Sequence, residues 1–513
     1  MLPRSETAHP RTLGLDRTTV ADLVDLLHSC DAEVFDGLEA AETRRELAAL
    51  ATFLYDARAA GLRRVVLAGA GTSGRLAHLL AARHGRALAE HGIEVVPWIA
   101  GGPRALLSAV EGAEDDVVAI REELATQLDA ATAFIGISCG LSAPCVAAGI
   151  VEAKARGARC AVFGTNDVAT ARRVPLVGLP GGFFEALALA DVVVTPDVGF
   201  EPLTGSSRMK GGSATWLCFD AVFVALDEAL RSHTASRCAE RIAERLDHGR
   251  ALWKRRFESG RGERIAAIEA MAKALRAGGV VRVVGEGEPG LAAVLDASEC
   301  QPTFGVDAGR VRAFVAGPQV RVFACPSVDL DAALEDLQRL EARDCLLVIR
   351  SEGRPGPLRR AFASAATRVE MVAAELLDAK LTLNAISTGA FVRAGKVYEN
   401  RMIDVALTNA KLFERAVRIV AAVAGVSEAR ALRSVVAVLH GSDAPAADLV
   451  SWPVHEHLKR ARPGIVPRAI LHARGSTLAA AEAALARSPI VRDAIAVRSG
   501  PDAAAAARDP RDG

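Results

Sequence analysis

Two stretches of the chain begin in the same way: VVLAGAGTSGRLAHLLAA at residues 65–82 and VVRVVGEGEPGLAAVLDA at residues 280–297. Each begins with an apolar run typical of a buried strand, continues with the pattern G-x-G-x-x-G, and ends in an apolar run typical of a helix. A repeat of this length indicates two copies of one α/β unit. We therefore expect a duplicated architecture.

The two glycine turns differ in chemistry. The first contains Thr72, Ser73 and Arg75, which offer hydroxyl groups and a positive charge that suit a phosphate. The second contains Glu286 and Glu288, whose carboxylates repel a phosphate. The sequence therefore predicts one composite site between the two copies and not two equal sites.

The composition indicates a globular protein with more than one domain. The chain has 513 residues, of which 50% are hydrophobic and 24% are charged. Lys and Arg number 62, as do Asp and Glu, so no basic field for a nucleic acid is expected. The nine cysteines show no C-x-x-C spacing, and we find neither a signal-peptide core nor an apolar run of about 18 residues. These features predict a cytoplasmic protein that binds neither nucleic acid nor membrane.

Strand-like and helical segments alternate in both halves, which predicts doubly wound, mainly parallel α/β sheets. The predicted strands are 65–69, 93–101, 132–138, 160–164 and 191–196 in the first half, and 280–285, 311–317, 320–326 and 344–350 in the second. The predicted segments are an N-terminal arm (1–45), a first α/β domain (46–240), a linking helix (241–265), a second α/β domain (266–425) and a helical C-terminal segment (426–513).

A glycine turn alone does not establish a dinucleotide site. A dinucleotide-binding domain needs an acidic residue at the end of its second strand to bind the ribose hydroxyls. Here Glu94 stands at the start of that strand, and no acidic residue stands at its end. Thr72 and Ser73 at a helix N-terminus suit a phosphate monoester better.

A second turn, IGISCGLSAP at residues 135–144, also follows a predicted strand. It places Ser138 and Gly140 at the carboxyl end of that strand, where open α/β sheets bind ligands. By itself such a turn is more typical of a helix cap than of a binding site.

A third turn, LTGSSRMKGGSAT at residues 203–215, precedes a helical segment. We expect Ser206 and Ser207 to cap that helix, with Arg208 and Lys210 adding positive charge. Three hydroxyl-rich turns on one sheet favour a sugar phosphate as the ligand.

Two acidic segments complete the set of candidate residues. Glu111 and Glu114 lie three residues apart in SAVEGAEDD (108–116), so on a helix they share one face. A solvated acidic helix start is the simpler interpretation of this segment, and it is the preferred one for Glu111. Glu299 lies in LDASECQPTFG (295–305), within an otherwise apolar helical run. A charged residue in such a run either faces solvent or is held in a site.

Several motifs, taken together, resemble the N-acetylmuramic acid 6-phosphate etherase and glucokinase regulatory protein family, whose members are built from sugar isomerase (SIS) domains. These motifs are GAGTSGR, EGAED, GSSRMK, LDASECQPTFG and STGAFVRAGKVYENRMIDVALTNAKLF. Etherase chains contain one SIS domain and act as dimers, whereas the regulator contains two. The resemblance therefore implies two flavodoxin-like SIS domains and a helical C-terminal lid in this chain.

The resemblance also implies which residues form the site. Glu114 and Glu299 correspond to the acid/base residues of the etherases. Arg83 stands where the first copy would need the counterpart of Glu299, so only one of two related sites is complete. The implied sugar phosphate contacts are Thr72, Ser73, Ser138, Gly140, Ser206, Ser207 and Lys411.

Two functions follow from the resemblance. The first is an etherase-type lyase that cleaves the D-lactyl ether of N-acetylmuramic acid 6-phosphate by proton transfers shared between two glutamates. The alternative is a regulator that binds a phosphosugar and acts on a protein partner such as a sugar kinase. An isomerase is less favoured, because no additional catalytic His or Lys pattern is evident. We expect no cofactor and no metal, and a monomer is plausible because both SIS domains lie in one chain.

Overall fold

The structure is a computed structural model that describes residues 2–110, 112–176, 179–317, 328–330, 333–353, 366–488 and 490–496. The predicted strand at 320–326 lies outside the described residues. The other predicted strands are all present.

The first sheet contains five described strands, all parallel, in the order β2-β1-β3-β4-β5. They are β1 (Arg64–Gly69), β2 (Glu94–Ile99), β3 (Thr132–Ile137), β4 (Arg159–Phe163) and β5 (Val192–Val194). This is the flavodoxin-like order. The central strands are almost entirely buried, as expected for near-continuous apolar runs in a sheet that is covered on both faces.

The two faces of this sheet pack against different helices, because successive side chains of a strand point to opposite faces. Val65 and Leu67 of β1 belong to one apolar core, and Val66 and Ala68 belong to another. The first core includes α1 (Val20–Glu39), α2 (Ala41–Ala59) and α3 (Thr72–Glu90); the second includes α4 (Ala119–Leu124), α5 (Pro144–Ala155) and α6 (Gly182–Leu187). The first core continues into the second half of the chain.

The second sheet repeats the order of the first. Its four described strands are β6 (Val281–Glu286), β7 (Val311–Ala316), β8 (Cys345–Ser351) and β9 (Thr367–Ala373), parallel in the order β7-β6-β8-β9. The predicted duplication is confirmed. Strand β9 was not predicted from the sequence, because Arg368 and Glu370 interrupt its apolar pattern. In the structure these two side chains form an ion pair with each other.

Six helices of the described residues follow β5 and precede the C-terminal segment. They are α7 (Lys210–Ser232), α8 (Cys238–Glu258), α9 (Arg261–Arg276), α10 (Gly287–Phe304), α11 (Leu334–Gln338) and α12 (Leu376–Arg393). The range predicted as one linking helix, 241–265, is occupied by parts of α8 and α9. The break falls at Gly260, whose φ of 76° is left-handed and ends the helical path.

The C-terminal segment is helical, as predicted, after a short hairpin of β10 (Val397–Tyr398) and β11 (Arg401–Met402). Helix α13 (Ala410–Ala424) lies before the predicted limit at residue 426. The helices after that limit are α14 (Glu428–His440), α15 (Ala447–Val450), α16 (Val454–Leu458), α17 (Ile465–Ala473), α18 (Leu478–Arg487) and α19 (Val491–Ala496). Because α13 packs against α14 and α17, it is described with this segment. None of the helices in the described part of the chain is long and apolar enough to span a membrane. The domain limits given above stay predictions.

The last glycine of each turn allows a helix to pack closely on its strand. A Cβ atom on Gly74 would lie 2.5 Å from Cγ1 of Ile99 and 2.7 Å from the Gly69 carbonyl oxygen. A Cβ atom on Gly290 would lie 2.5 Å from the Gly285 carbonyl oxygen. Both turns therefore need glycine for packing, whatever they bind.

We predict that Gly74→Ala lowers the free energy of unfolding by about 1–3 kcal/mol, because the added methyl group overpacks this contact. Gly262→Ala is the control: this residue lies in α9, and its Cβ would meet nothing within 4 Å. The control should raise the free energy of unfolding by about 0.4–1 kcal/mol. Urea unfolding followed by far-UV circular dichroism measures both, and an equal effect of the two variants would contradict the packing role.

Candidate functional site

The candidate site lies where the direction of the first sheet reverses. The chain runs from β1 outward to β2 on one side, and from β3 outward to β4 and β5 on the other. Between β1 and β3 the two connections diverge and leave a crevice at the carboxyl ends of the strands, the usual place for ligands in such sheets. Thr72 and Ser73 follow β1 here, and Ser138 and Gly140 follow β3.

A cavity of about 160 Å³ opens at this crevice. The nine predicted site residues all line it: Thr72, Ser73, Glu114, Ser138, Gly140, Ser206, Ser207, Glu299 and Lys411. They come from the first α/β unit, from α10 of the second unit and from α13 of the C-terminal segment. The cavity is therefore composite, and both halves of the chain are needed to form it.

Glu299 is the contribution of the second half. Glu299 is 9% exposed. Its carboxylate accepts a hydrogen bond of 2.5 Å from Thr72 Oγ1 and forms an ion pair with Arg75. Arg75 was expected to offer its charge to a phosphate. Instead it is buried and donates to Glu299 and to the carbonyl oxygen of Leu106. Its position one helical turn inside α3 directs it away from the mouth of the glycine turn and toward α10.

Glu114 is held by the N-terminus of α13. Lys411 Nζ donates to Glu114 at 2.6 Å, and Asn409 Nδ2 donates at 3.0 Å. Next to it, Asp115 accepts from the backbone N–H of Ala410 at 2.9 Å. Burial raises the pKa of Asp115. Acidic groups at a helix N-terminus are electrostatically favourable, so this loop and α13 stabilise each other.

Ser138 stabilises its own turn and lines the cavity. Its Oγ accepts hydrogen bonds from the backbone N–H groups of Ser142 and Ala143 at 3.1 and 3.3 Å, just before α5 begins. It also lines the cavity, as does Gly140. The N-cap residue of α5 is Ala143, which has no side-chain cap, so the helix-cap interpretation does not hold for this turn.

The prediction for the third turn is wrong about the cap. Neither Ser206 nor Ser207 caps α7; the buried carboxylate of Glu201 accepts from the backbone N–H groups of Lys210 and Gly211 at 3.0 and 2.9 Å. Burial raises the pKa of Glu201. In the part of the chain that the structure describes, the buried Ser206 Oγ has no hydrogen-bond partner, and Ser206 lies in the wall of the cavity.

The positive charges of this turn are already paired. Arg208 Nη1 lies 2.9 Å from Asp296 Oδ1, and Lys210 pairs with Glu33. Both basic side chains are buried. They hold α7 against α10 and α1, and the expectation that they add free charge for a phosphate is not met.

The N-terminal arm enters the cavity, which sequence reasoning missed. Ser5 and Glu6 line it. The Glu6 carboxylate pairs with Arg415 and Arg418 of α13. Burial alone would raise the pKa of Glu6, but Arg415, Lys411 and Arg418 outweigh burial and lower the pKa to about 2. The segment RSET around it has no motif that could have indicated this role.

The second half carries an altered version of the same contact. Aligning the first glycine of each turn pairs Thr72 with Glu288, and Arg83 with Glu299. In the structure Glu299 contacts Thr72, and Arg83 forms an ion pair with Glu288. Arg83 also donates to Asp220 at 2.8 Å. An ion-pair network thus occupies the position that is related to the candidate site.

Two flavodoxin-like α/β domains, a composite cavity between them and a helical C-terminal lid define a double SIS-domain protein. Residues 46–154 match the family model of the glucokinase regulatory protein N-terminal SIS domain, and residues 399–495 match that of the C-terminal lid domain of glucokinase regulatory protein. The chain belongs to the N-acetylmuramic acid 6-phosphate etherase and glucokinase regulatory protein family, as the sequence motifs predicted.

The similar proteins include both glucokinase regulatory proteins and N-acetylmuramic acid 6-phosphate etherases. Glucokinase regulatory protein of Homo sapiens is 28% identical, over 96% of this chain and 92% of that protein. N-acetylmuramic acid 6-phosphate etherase of Yersinia pestis (strain Pestoides F) is 37% identical, over 32% of this chain and 69% of that protein. A solved structure, the C-terminal domain of glucosamine-fructose-6-phosphate aminotransferase from Francisella tularensis, is 14% identical with a TM-score of 0.42, over 73% of this chain and 95% of that chain. The last similarity is too low to carry an argument.

We predict that Glu6→Gln lowers the free energy of unfolding at pH 7 by about 3 kcal/mol, because it leaves the buried Arg415 without a charged partner. The pKa of Glu6 is lower in the folded protein than its ordinary value of 4.5. The ionised Glu6 carboxylate therefore contributes its full stabilisation to the folded state above about pH 4.5, and this stabilisation is lost as the pH falls toward 2.

Urea unfolding of wild type and Glu6→Gln between pH 7 and 3 measures this difference. The difference in the free energy of unfolding between the two proteins should become smaller as the pH falls below about 4.5. Glu90→Gln, at a carboxylate that is 61% exposed, is the control and should change stability by less than about 0.5 kcal/mol. A difference that stays constant with pH would contradict the assigned ion pair.

Proposed function

We propose that this protein binds N-acetylmuramic acid 6-phosphate in the composite cavity and cleaves its D-lactyl ether. The observation that carries the proposal is that Glu114 and Glu299, which arrive from different halves of the chain, line one cavity with hydroxyl-rich turns. The 37% identity to an etherase over 69% of that protein supports the same reaction.

The phosphate is assigned to the hydroxyl-rich side of the cavity. The N-terminus of α3 offers backbone N–H groups, and Ser73, Ser206 and Ser207 offer hydroxyls close by. Binding energy from the phosphate orients the ring and takes no part in the reaction itself.

The two glutamates are assigned the proton transfers. One carboxylate removes the proton on C2, the C3–O bond breaks, and the ether oxygen leaves as the hydroxyl of lactate after receiving a proton from the other carboxyl group. Water then adds across the C2–C3 double bond, with its hydroxyl on C3 and a proton on C2. Lys411 beside Glu114, and Arg75 beside Glu299, keep the carboxylates in place for these steps.

A second candidate is a regulator that responds to a phosphosugar and acts on a protein partner such as a sugar kinase. The identity to glucokinase regulatory protein over 96% of the chain favours it, as do the two matching family models. In that case Glu114 and Glu299 bind sugar hydroxyls, and the C-terminal lid reports the bound state.

Lactate release from N-acetylmuramic acid 6-phosphate tests the lyase. We expect release by the wild type, and a loss of about 10²–10⁴-fold in Glu114→Gln and in Glu299→Gln, because each variant removes a proton-transfer group. Glu90→Gln is the control, since it changes a carboxylate that is 61% exposed and does not line the cavity, and it should retain activity.

The regulator would give a different result in the same measurements. No lactate from the wild type, together with a melting temperature raised by fructose 6-phosphate, would contradict the lyase and support the regulator. No lactate and no thermal shift with any sugar phosphate would contradict both functions.

We also predict one bound sugar phosphate per chain. The related position is occupied by the ion pair of Arg83 and Glu288, so it offers no matching phosphate turn. Isothermal titration calorimetry on a catalytically silent Glu299→Gln variant measures the stoichiometry. Two equivalent sites per chain would show that the second turn has retained its ligand.

A further inference from the structure

A second cavity, of about 120 Å³, adjoins the main one. The two cavities share lining residues, among them Glu114 and Glu299. The glutamate pair therefore stands at the boundary between them. We call the second space the side cavity.

The walls of the side cavity are mostly small and apolar. They include Ala100, Ala105, Ala109, Val110 and Ala113, which belong to the segment that connects β2 to the loop of Glu114. One buried cation, Arg75, also lines it. The contacts of Arg75 with Glu299 and the Leu106 carbonyl use two of the five N–H groups that a guanidinium carries.

We infer that the side cavity holds a short acyl substituent on the ring of the sugar phosphate, and so selects substituted amino-sugar phosphates over plain hexose phosphates. This inference rests on the proposed binding of a sugar phosphate in the main cavity. The methyl groups of the alanines suit the methyl group of an acetamido or lactyl substituent. Arg75 suits its amide or carboxylate oxygen.

The position of the glutamates supports this assignment. Proton transfer at C2 and C3 requires these carbons to lie within hydrogen-bond reach of Glu114 and Glu299. The side cavity shares both glutamates with the main cavity, so it is the adjoining space that groups attached to the same two carbons can enter. A plain hexose phosphate has only hydroxyl groups there and leaves the apolar walls uncovered.

The size of the side cavity is consistent with such a group. About 120 Å³ is several times the roughly 10–15 Å³ of cavity volume that one water molecule needs. It is smaller than the main cavity of about 160 Å³, which is assigned to the ring and the phosphate. A substituent of a few atoms fits this space.

Ala109→Leu tests the inference, because its longer side chain fills the side cavity from a partly exposed loop position. Ala119→Leu is the matched control: Ala119 is also partly exposed, begins α4, and lines neither cavity. Calorimetry measures the affinity of each variant for N-acetylglucosamine 6-phosphate and for glucose 6-phosphate.

We expect Ala109→Leu to weaken N-acetylglucosamine 6-phosphate by about tenfold or more and glucose 6-phosphate by less than about twofold. Ala119→Leu should change neither. Ala113→Leu, a second wall position, should repeat the selective loss. N-acetylmuramic acid 6-phosphate, measured in the Glu299→Gln background, identifies the lactyl group as the occupant if Ala109→Leu weakens it while N-acetylglucosamine 6-phosphate is unaffected.

Other outcomes overturn the inference. An equal loss for substituted and plain sugars, or no loss for any of them, would remove the side cavity from substrate recognition while leaving the main cavity as the phosphosugar site. Failure of the wild type to bind any of the three sugar phosphates would overturn the proposed function as well.

Discussion

The carboxylate of Glu299 is the contact on which the composite cavity depends. A buried carboxylate is costly unless it is paired and hydrogen-bonded, and here Thr72 and Arg75 meet both needs from the other half of the chain. Because Thr72 begins α3 and Glu299 lies on α10, this contact brings the first glycine turn of one unit next to a helix of the other. The main cavity and the side cavity both border it.

The related contact between Arg83 and Glu288 shows how the two halves came to differ. A hydroxyl donor and a carboxylate meet at the candidate site; at the related position a guanidinium has replaced the carboxylate, and a carboxylate has replaced the hydroxyl. The two positions still meet, but donor and acceptor are exchanged, because the second turn supplies the acceptor and the helix of the first unit supplies the donor. One copy thus lines the cavity with its turn, and the other uses its turn to hold the two halves together.

Much of the fold could be predicted from the sequence, because buried parallel strands are near-continuous apolar runs and each glycine turn marks the start of a helix. Among the strands of the two α/β sheets, β9 was not predicted, because Arg368 and Glu370 interrupt its apolar pattern. These two side chains form an ion pair with each other. The single linking helix was predicted because charged helical periodicity continues through Gly260, whose backbone nevertheless ends α8 and begins α9.

The site was predictable where short motifs carry it and not where distant segments meet. Glu114, Glu299 and the hydroxyl turns stand in recognisable motifs. Glu201 caps α7 from nine residues upstream, and Glu6 reaches Arg415 across most of the chain. No local sequence pattern indicates such partners, because the packing of whole helices and strands brings them together and neighbouring residues do not.

The helices α8 and α9, which join the two α/β units, have a further consequence. They keep Thr72 and Glu299 on one molecule, so the halves meet at an effective concentration that is set by the tether and not by the amount of protein present. A site shared between separate subunits comes apart on dilution and can assemble from unlike copies. Here dilution does not separate the two halves, and an altered residue in either half is never compensated by an unaltered partner.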